Sequence, residues 1–349
     1  MNMSETRTRT VSPTTTEYVV RDNQLMRQKL KKNFRPQKPK SENETKVGMF
    51  TVKSANETIK EAAKERDPMR LYGEFWIENE VCCLFADSNV GKSILAVQIA
   101  NEVARNQKVL YFDFELSNKQ FQLRYTNDET KQLYRFPQNF YRVCMNKLIA
   151  SYPTNDLADK IIQDIEKCVR VFKCKTIIID NLTWISSNSR STKLAGDLMK
   201  RLSIMQEQHN LSMLILAHTT KRNMSKPITQ NDLGGSKMIF NFLDSAFSIG
   251  VSAKDPNIKF LKQIKVRDGA LKYGTDNVML CSIEKKKSFL QFVTIGYEEE
   301  SEHLKKRKDD DKLAIIARIK AMKAEGMSIR DIASELGMSH ATVDRWSKK

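Results

Sequence analysis

The sequence predicts an α/β protein, with a mostly parallel sheet covered by helices on both faces and a small all-α module at the C-terminus. Three observations predict it. Between about residues 70 and 295, short β-branched runs alternate with stretches carrying apolar residues at helical spacing. A phosphate-loop pattern falls at one strand-to-helix junction. The chain regains a helical period after a block of charge near its end. Its 349 residues are 40% hydrophobic and 29% charged, too apolar for wholesale disorder and long enough for one large domain and one small one. Lys and Arg number 59 against 42 Asp and Glu, a formal charge of +17 that favours a polyanionic partner.

Taken in order, residues 1–66 are polar, Thr-rich, then basic (Arg27, Lys29, Lys31, Lys32, Arg35, Lys38, Lys40), and read as a disordered arm. The N-terminus has no apolar signal-peptide core and no run is long enough for a bilayer helix, so a cytoplasmic protein without a membrane partner is expected. In 67–295, Val81–Phe85, Val109–Phe114, Thr176–Ile179 and Leu211–Ala217 read as buried strands. Ser93–Arg105, Asn155–Val171 and Thr192–Gln208 read as amphipathic helices; Leu194, Leu198, Leu202 and Met205 mark the inner face of the last. Later strands are expected near Ser245–Val251, Lys259–Val266, Asn277–Ile283 and Phe289–Ile295. Residues 296–311 are a charge block and read as a linker, and 312–349 as a helical module. Cys82, Cys83, Cys144, Cys168, Cys174 and Cys281 form no CxxC pair; reduced, mostly buried thiols are expected, and no zinc site.

The chemistry-bearing residues begin with Ala86-Asp87-Ser88-Asn89-Val90-Gly91-Lys92-Ser93, which follow an apolar strand and open a helix. Backbone N–H groups in such a loop face phosphate, the lysine reaches the β- and γ-phosphates, and the serine ligates Mg²⁺. Gly91 and Asn89 are the residue types that tolerate positive φ there. Alanine stands where the pattern has its first glycine.

Four further stretches join it. Tyr111-Phe112-Asp113-Phe114-Glu115 puts two carboxylates at a strand end, and a period of two places them on one side. Thr176-Ile177-Ile178-Ile179-Asp180 closes a buried strand on an acid. Leu214-Ile215-Leu216-Ala217-His218 closes another on histidine and leads into Lys221–Lys237, a turn-rich basic loop. Lys265 and Arg267 lie two apart on a strand and project from one face.

With these residues the stretch 70–295 resembles the RecA-like ATPases, and among them the DnaB-type and plasmid RepA-type hexameric helicases. The resemblance implies ATP and Mg²⁺ as cofactors. It casts Glu115 as the carboxylate that orients and deprotonates water, and Asp180 with Ser93 as the Mg²⁺ holders. His218 would be a γ-phosphate sensor. Lys221, Arg222, Lys226 and Lys237 would line a channel for single-stranded DNA, though a solvated basic loop fits the same composition. Arg190 and Lys193 form a second candidate channel loop. Lys265 and Arg267 would reach a neighbouring subunit's γ-phosphate, with a solvated basic face as the competing explanation; the trans role implies a homo-oligomer, a hexamer in the family. Residues 312–349 resemble a helix-turn-helix in which Ser328 and Ser339 cap the second and third helices, and His340 and Arg345 face duplex DNA. A protein–protein helical module fits that segment too. The function implied is an ATP-hydrolysing DNA motor, a ring-forming helicase or replication ATPase of a plasmid or mobile element. The alternatives are an ATP-switched DNA-binding regulator that unwinds nothing, or a recombination and repair ATPase. The chain lacks the N-terminal collar of DnaB-type proteins, as RepA-type proteins also do.

Overall fold

A computed structural model describes residues 45–145, 157–182, 193–234, 237–267, 269–305 and 308–348. The chain divides into two units, 1–67 and 68–349. In the first, strands β1 (Thr45–Val47) and β2 (Phe50–Val52) pair as a hairpin, and helix α1 (Ala55–Ala62) follows with Ser54 as its N-cap. This corrects the expectation of a structureless arm for 45–66. The signal was weak because a three-residue strand is too short for a period, and every residue of β1 and β2 is exposed.

The second unit opens with a small hairpin, β3 (Arg70–Tyr72) and β4 (Trp76–Ile77). Then come β5 (Val81–Ala86), α2 (Lys92–Val103), β6 (Val109–Asp113), α3 (Asn118–Arg124), β7 (Phe140–Cys144), α4 (Leu157–Phe172), β8 (Thr176–Asp180), α5 (Lys193–His209), β9 (Ser212–His218), α6 (Lys237–Asn241) and β10 (Ser245–Val251). Three antiparallel strands complete the sheet: β11 (Lys259–Lys265), β12 (Val278–Lys286) and β13 (Phe289–Glu298). The order across the sheet is β13-β12-β11-β10-β5-β9-β8-β6-β7. Strands β10, β5, β9, β8, β6 and β7 are mutually parallel. Strand β5 therefore has β10 and β9 as neighbours, both distant in sequence, while its chain successor β6 lies two strands beyond β9. Such a crossing of connections opens a crevice at the carboxyl ends of the strands.

Strictly alternating side chains of β5 feed two cores. Val81, Cys83 and Phe85 pack with Ile161, Ile165, Leu198, Leu202 and Met205 of α4 and α5. Cys82, Leu84 and Ala86 pack with Leu95, Ala96 and Ile99 of α2. The central strands are buried on both faces, which is why they read as continuous apolar runs rather than alternating ones. Strand β7 was not expected: it is half-buried and carries Arg142 at its centre, so it gives no apolar run.

The charge block at 296–311 is not a free linker. Strand β13 runs through it to Glu298, and Glu300–His303 form a 3-10 turn in which Glu300 and His303 are buried. Helix α7 (Lys308–Ala324) takes up the remaining acids. With α8 (Ile329–Glu335) and α9 (His340–Ser347) it packs Ile319, Met322, Ile332, Ala333 and Val343 together. Ser328 accepts from the Asp331 N–H and Ser339 from the Thr342 N–H, as the sequence predicts. No helix among the described residues is long and apolar enough to cross a membrane.

Leu84 is fully buried at the centre of the sheet. Leu84→Ala should lower unfolding free energy by about 3 kcal/mol, the ordinary cost of a large-to-small change at a packed site, read from the urea midpoint.

Candidate active site

The loop 86–91 leaves the carboxyl end of β5 and enters α2. Asn89 has φ 63° and Gly91 φ 106°, the two positive-φ positions the sequence predicts. A Cβ on Gly91 would lie 2.9 Å from Ile283 Cδ1 and 2.9 Å from Phe292 Cζ, so space as well as backbone demands glycine there. Lys92 and Ser93 begin α2, whose first N–H groups are left free of intrahelical partners and point out of its N-terminus.

The Lys92 side chain is largely buried and folds back over the loop. Its Nζ donates to Ala86 O at 2.9 Å and Asp87 O at 2.8 Å, and lies 3.1 Å from His218 Nδ1. Burial pushes its pKa down, against the pull of Asp180, Glu115 and Asp87. An ammonium only donates, so His218 Nδ1 accepts there, while its Nε2 lies 3.2 Å from the Asn181 side-chain nitrogen. That Nε2 lies 3.7 Å from Glu115 Oε1. Burial and then the Lys92 charge hold the imidazole below its usual pKa. The Ser88 hydroxyl lies 3.5 Å from His218 Nδ1, and Thr219 donates to Asp87 Oδ1.

Two strand ends supply the carboxylates. Strand β6 stops at Asp113, so the two-residue period does not extend to Glu115. Instead Asp113 Oδ1 accepts from the N–H groups of Glu115 at 3.1 Å and Leu116 at 2.9 Å and turns the chain there. Arg142 of β7 holds Asp113 through Nε at 2.8 Å and Leu116 O through Nη2 at 2.5 Å. Glu115 accepts from the Asn181 side-chain amide. Asn181 is the residue sequence reasoning passed over; its place directly after the strand-closing acid was the available signal.

Asp180 ends β8 almost wholly out of water. Its Oδ2 accepts from the Tyr111 hydroxyl at 2.5 Å, while Oδ1 is buried without a hydrogen-bond partner among the described residues. Desolvation raises its pKa to about 6 despite the Ser93 and Tyr111 hydroxyls beside it. A buried carboxylate oxygen with an unused lone pair and the Ser93 hydroxyl beside it are oxygen ligands of the kind a hard divalent cation takes.

Other expected site residues fall elsewhere. Lys265 donates to Phe240 O at 3.2 Å, and Arg267, beyond the end of β11, pairs with Asp244. Asp244 also accepts from Val81 N–H, at the start of β5. The span from Val81 to Ala86 is five residues, about 17 Å at the usual strand rise. Arg267 thus sits at the opposite end of the sheet from its own phosphate loop and cannot serve it in cis. Arg222 does not offer itself to solvent: its side chain is 5% exposed, lies 3.9 Å from Asp232 and donates to Lys226 O at 2.9 Å. Its guanidinium is thus turned into the loop rather than outward, unlike the lysines expected beside it. Lys221 and Lys226 are exposed. Lys237 starts α6, but its side chain, Lys193's side chain and Arg190 lie outside the described residues. Gly234 is held in place: its N–H donates to His218 O at 2.8 Å, and a Cβ would come within 2.5 Å of that oxygen. On the helical module His340 and Arg345 are exposed.

Residues 51–224 match the family model of an AAA domain, and residues 316–345 match a helix-turn-helix domain. No curated protein matches the chain. Among solved structures, a KaiC-like protein from the hyperthermophilic archaeon Pyrococcus horikoshii aligns with a TM-score of 0.45 and 10% identity, over 62% of this chain and 91% of that one.

The Asp180 carboxyl gives a stability test without ligand. Its folded pKa, about 6, lies above the value of 3.8 for a free side chain. The neutral acid therefore stabilises the fold fully below pH 3.8, and that contribution fades as pH rises through 6. In EDTA, Asp180→Asn should melt at a higher temperature than the parent at pH 8, with the gap closing toward pH 5; an unchanged gap would contradict the burial.

Proposed function

We propose that this chain, a RecA-like phosphate-loop ATPase domain joined to a C-terminal helix-turn-helix, is an ATP-hydrolysing DNA motor. A ring-forming helicase or replication ATPase of a plasmid or mobile element is the reading that uses all of its parts. The observation that carries it is the gathering of Lys92, Ser93, Glu115, Asp180 and His218 at the carboxyl ends of four parallel strands.

In this reading the amides of residues 87–92 and the Lys92 ammonium take the β- and γ-phosphates. Lys92 then exchanges its bonds to Ala86 O and His218 Nδ1 for phosphate oxygens. Mg²⁺, held by Ser93 and Asp180, would neutralise charge on those phosphates. Glu115 orients water and accepts its proton, with Asp113 and Arg142 fixing the turn on which it stands and Asn181 steadying its carboxylate. When Lys92 leaves, His218 Nδ1 loses the donor it faced and can take up a proton, so that it donates to a phosphate oxygen. It is then positioned to sense the γ-phosphate from a strand that runs into the Lys221–Lys226 loop.

Lys265 and Arg267 act in trans in this reading. Their distance from the loop of their own chain favours that assignment, and a neutralising cation from a neighbour makes hydrolysis depend on assembly. Exposed Lys221 and Lys226 touch the backbone of a single strand without reading its bases, and His340 and Arg345 meet a duplex.

Lys92→Ala should abolish DNA-stimulated ATP hydrolysis, and Glu115→Gln should cut it at least about a hundredfold while sparing ATP binding; normal turnover in the lysine variant would remove the site. Mixing Lys92→Ala with Arg267→Ala subunits should restore part of the activity that each lacks alone, measured by phosphate release. Unwinding of a forked duplex by a particle of hexameric mass supports the motor, whereas site-specific duplex binding without unwinding would indicate the ATP-switched regulator.

A further inference from the structure

We propose that the buried Lys262–Glu300 ion pair is a clasp that transmits the state of the phosphate loop to the segment leading into the helix-turn-helix. The proposal rests on the reading that the loop at 86–93 binds ATP, and it adds how that site is coupled to the second module.

Both ends of the 219–234 loop are tied to the active site. Thr219 N–H donates to Ala86 O at 3.2 Å, Thr219 hydroxyl to Asp87, Thr220 N–H to Asp232 O at 2.9 Å and Gly234 N–H to His218 O at 2.8 Å. The middle of the loop is tied elsewhere. Ile228 is 1% exposed; its N–H donates to Glu300 Oε1 at 2.6 Å and its carbonyl accepts from Lys262 Nζ at 2.8 Å. Lys262 Nζ lies 2.5 Å from Glu300 Oε2, with both side chains excluded from water. Lys305 N–H donates to Met224 O at 3.1 Å, and Glu300 N–H to Thr275 O at 2.8 Å. Helix α7 begins at Lys308.

An ion pair buried this deeply contributes little net stability over an apolar pair of the same volume, because desolvation consumes the attraction. What it provides here is direction. Four groups (an ammonium, a carboxylate, a peptide N–H and a peptide C=O) satisfy one another only when Ile228 stands in one place. Shifting Ile228 strands a charge in a dry interior, so loop and turn must move together. Binding of phosphate changes the partners of Lys92, and through His218 the strand end from which the loop departs. The clasp conveys that displacement to 299–305, the root of the DNA-facing helices. Coupling of this kind is reciprocal, so a duplex on the helices acts back on the nucleotide.

Hydrogen exchange of the full chain with Mg²⁺ and a non-hydrolysable ATP analogue tests it. In the parent protein the analogue should slow exchange at 86–93 and change it at both 219–234 and 299–305, by about fivefold for coupling of ordinary strength. In Lys262→Met/Glu300→Gln, which strands no charge and leaves the Gln amide as the tie to Ile228 in place of the ion pair, the changes at 86–93 and 219–234 should persist and the change at 299–305 should shrink. Protection at 86–93 with 299–305 unmoved in the parent overturns the clasp while leaving ATP binding intact; this arm needs no variant to fold. An undiminished response at 299–305 in the double variant overturns it too. No protection at 86–93 removes the ATP reading and the clasp with it.

Discussion

The Asp180 carboxylate lies in a dry interior with one oxygen lacking a hydrogen-bond partner among the described residues, and its neighbours are arranged around that cost. Tyr111 from the adjacent strand satisfies the other oxygen. The residue that follows reaches outward to Glu115, and the one aligned with it on β6, Asp113, is neutralised by Arg142. Two strand ends, those of β6 and β8, thus meet beside the phosphate loop. Desolvation holds the pKa of Asp180 at about 6, well above that of a carboxyl in water.

The sheet's centre was legible in the sequence because double burial forces long β-branched runs, as in Thr176–Asp180, and because the phosphate loop needs residue types few other turns require. Asn89 and Gly91 adopt the backbone their identities foretell. Legibility ended where residues serve two purposes. Arg142 breaks the apolar run of β7, where it holds Asp113. Glu300 sits in a run of acids that composition alone assigns to solvent, yet its partner Lys262 is distant in sequence. No local pattern records a long-range ion pair. The same holds for Arg222, whose burial against Asp232 is invisible in a loop rich in lysine.

The three antiparallel strands of the sheet have a related lesson. Strands β11 to β13 are expected from the sequence as later strands of the same domain, but no local pattern places them against the phosphate loop. In the fold, β12 and β13 deliver Ile283 and Phe292 against Gly91, and Gln98 of α2 exchanges hydrogen bonds with the backbone of Phe292. The last hairpin is therefore a wall of the first loop.

That wall has a consequence for how the protein comes into being. A chain emerging N-terminus first exposes residues 86–93 long before Phe292 exists, and until that ring arrives the turn lacks the surface that confines it. Translation must run past the whole sheet before the turn acquires its wall, so a nascent chain still on the ribosome has an unfinished phosphate site until nearly all of the large domain has been made.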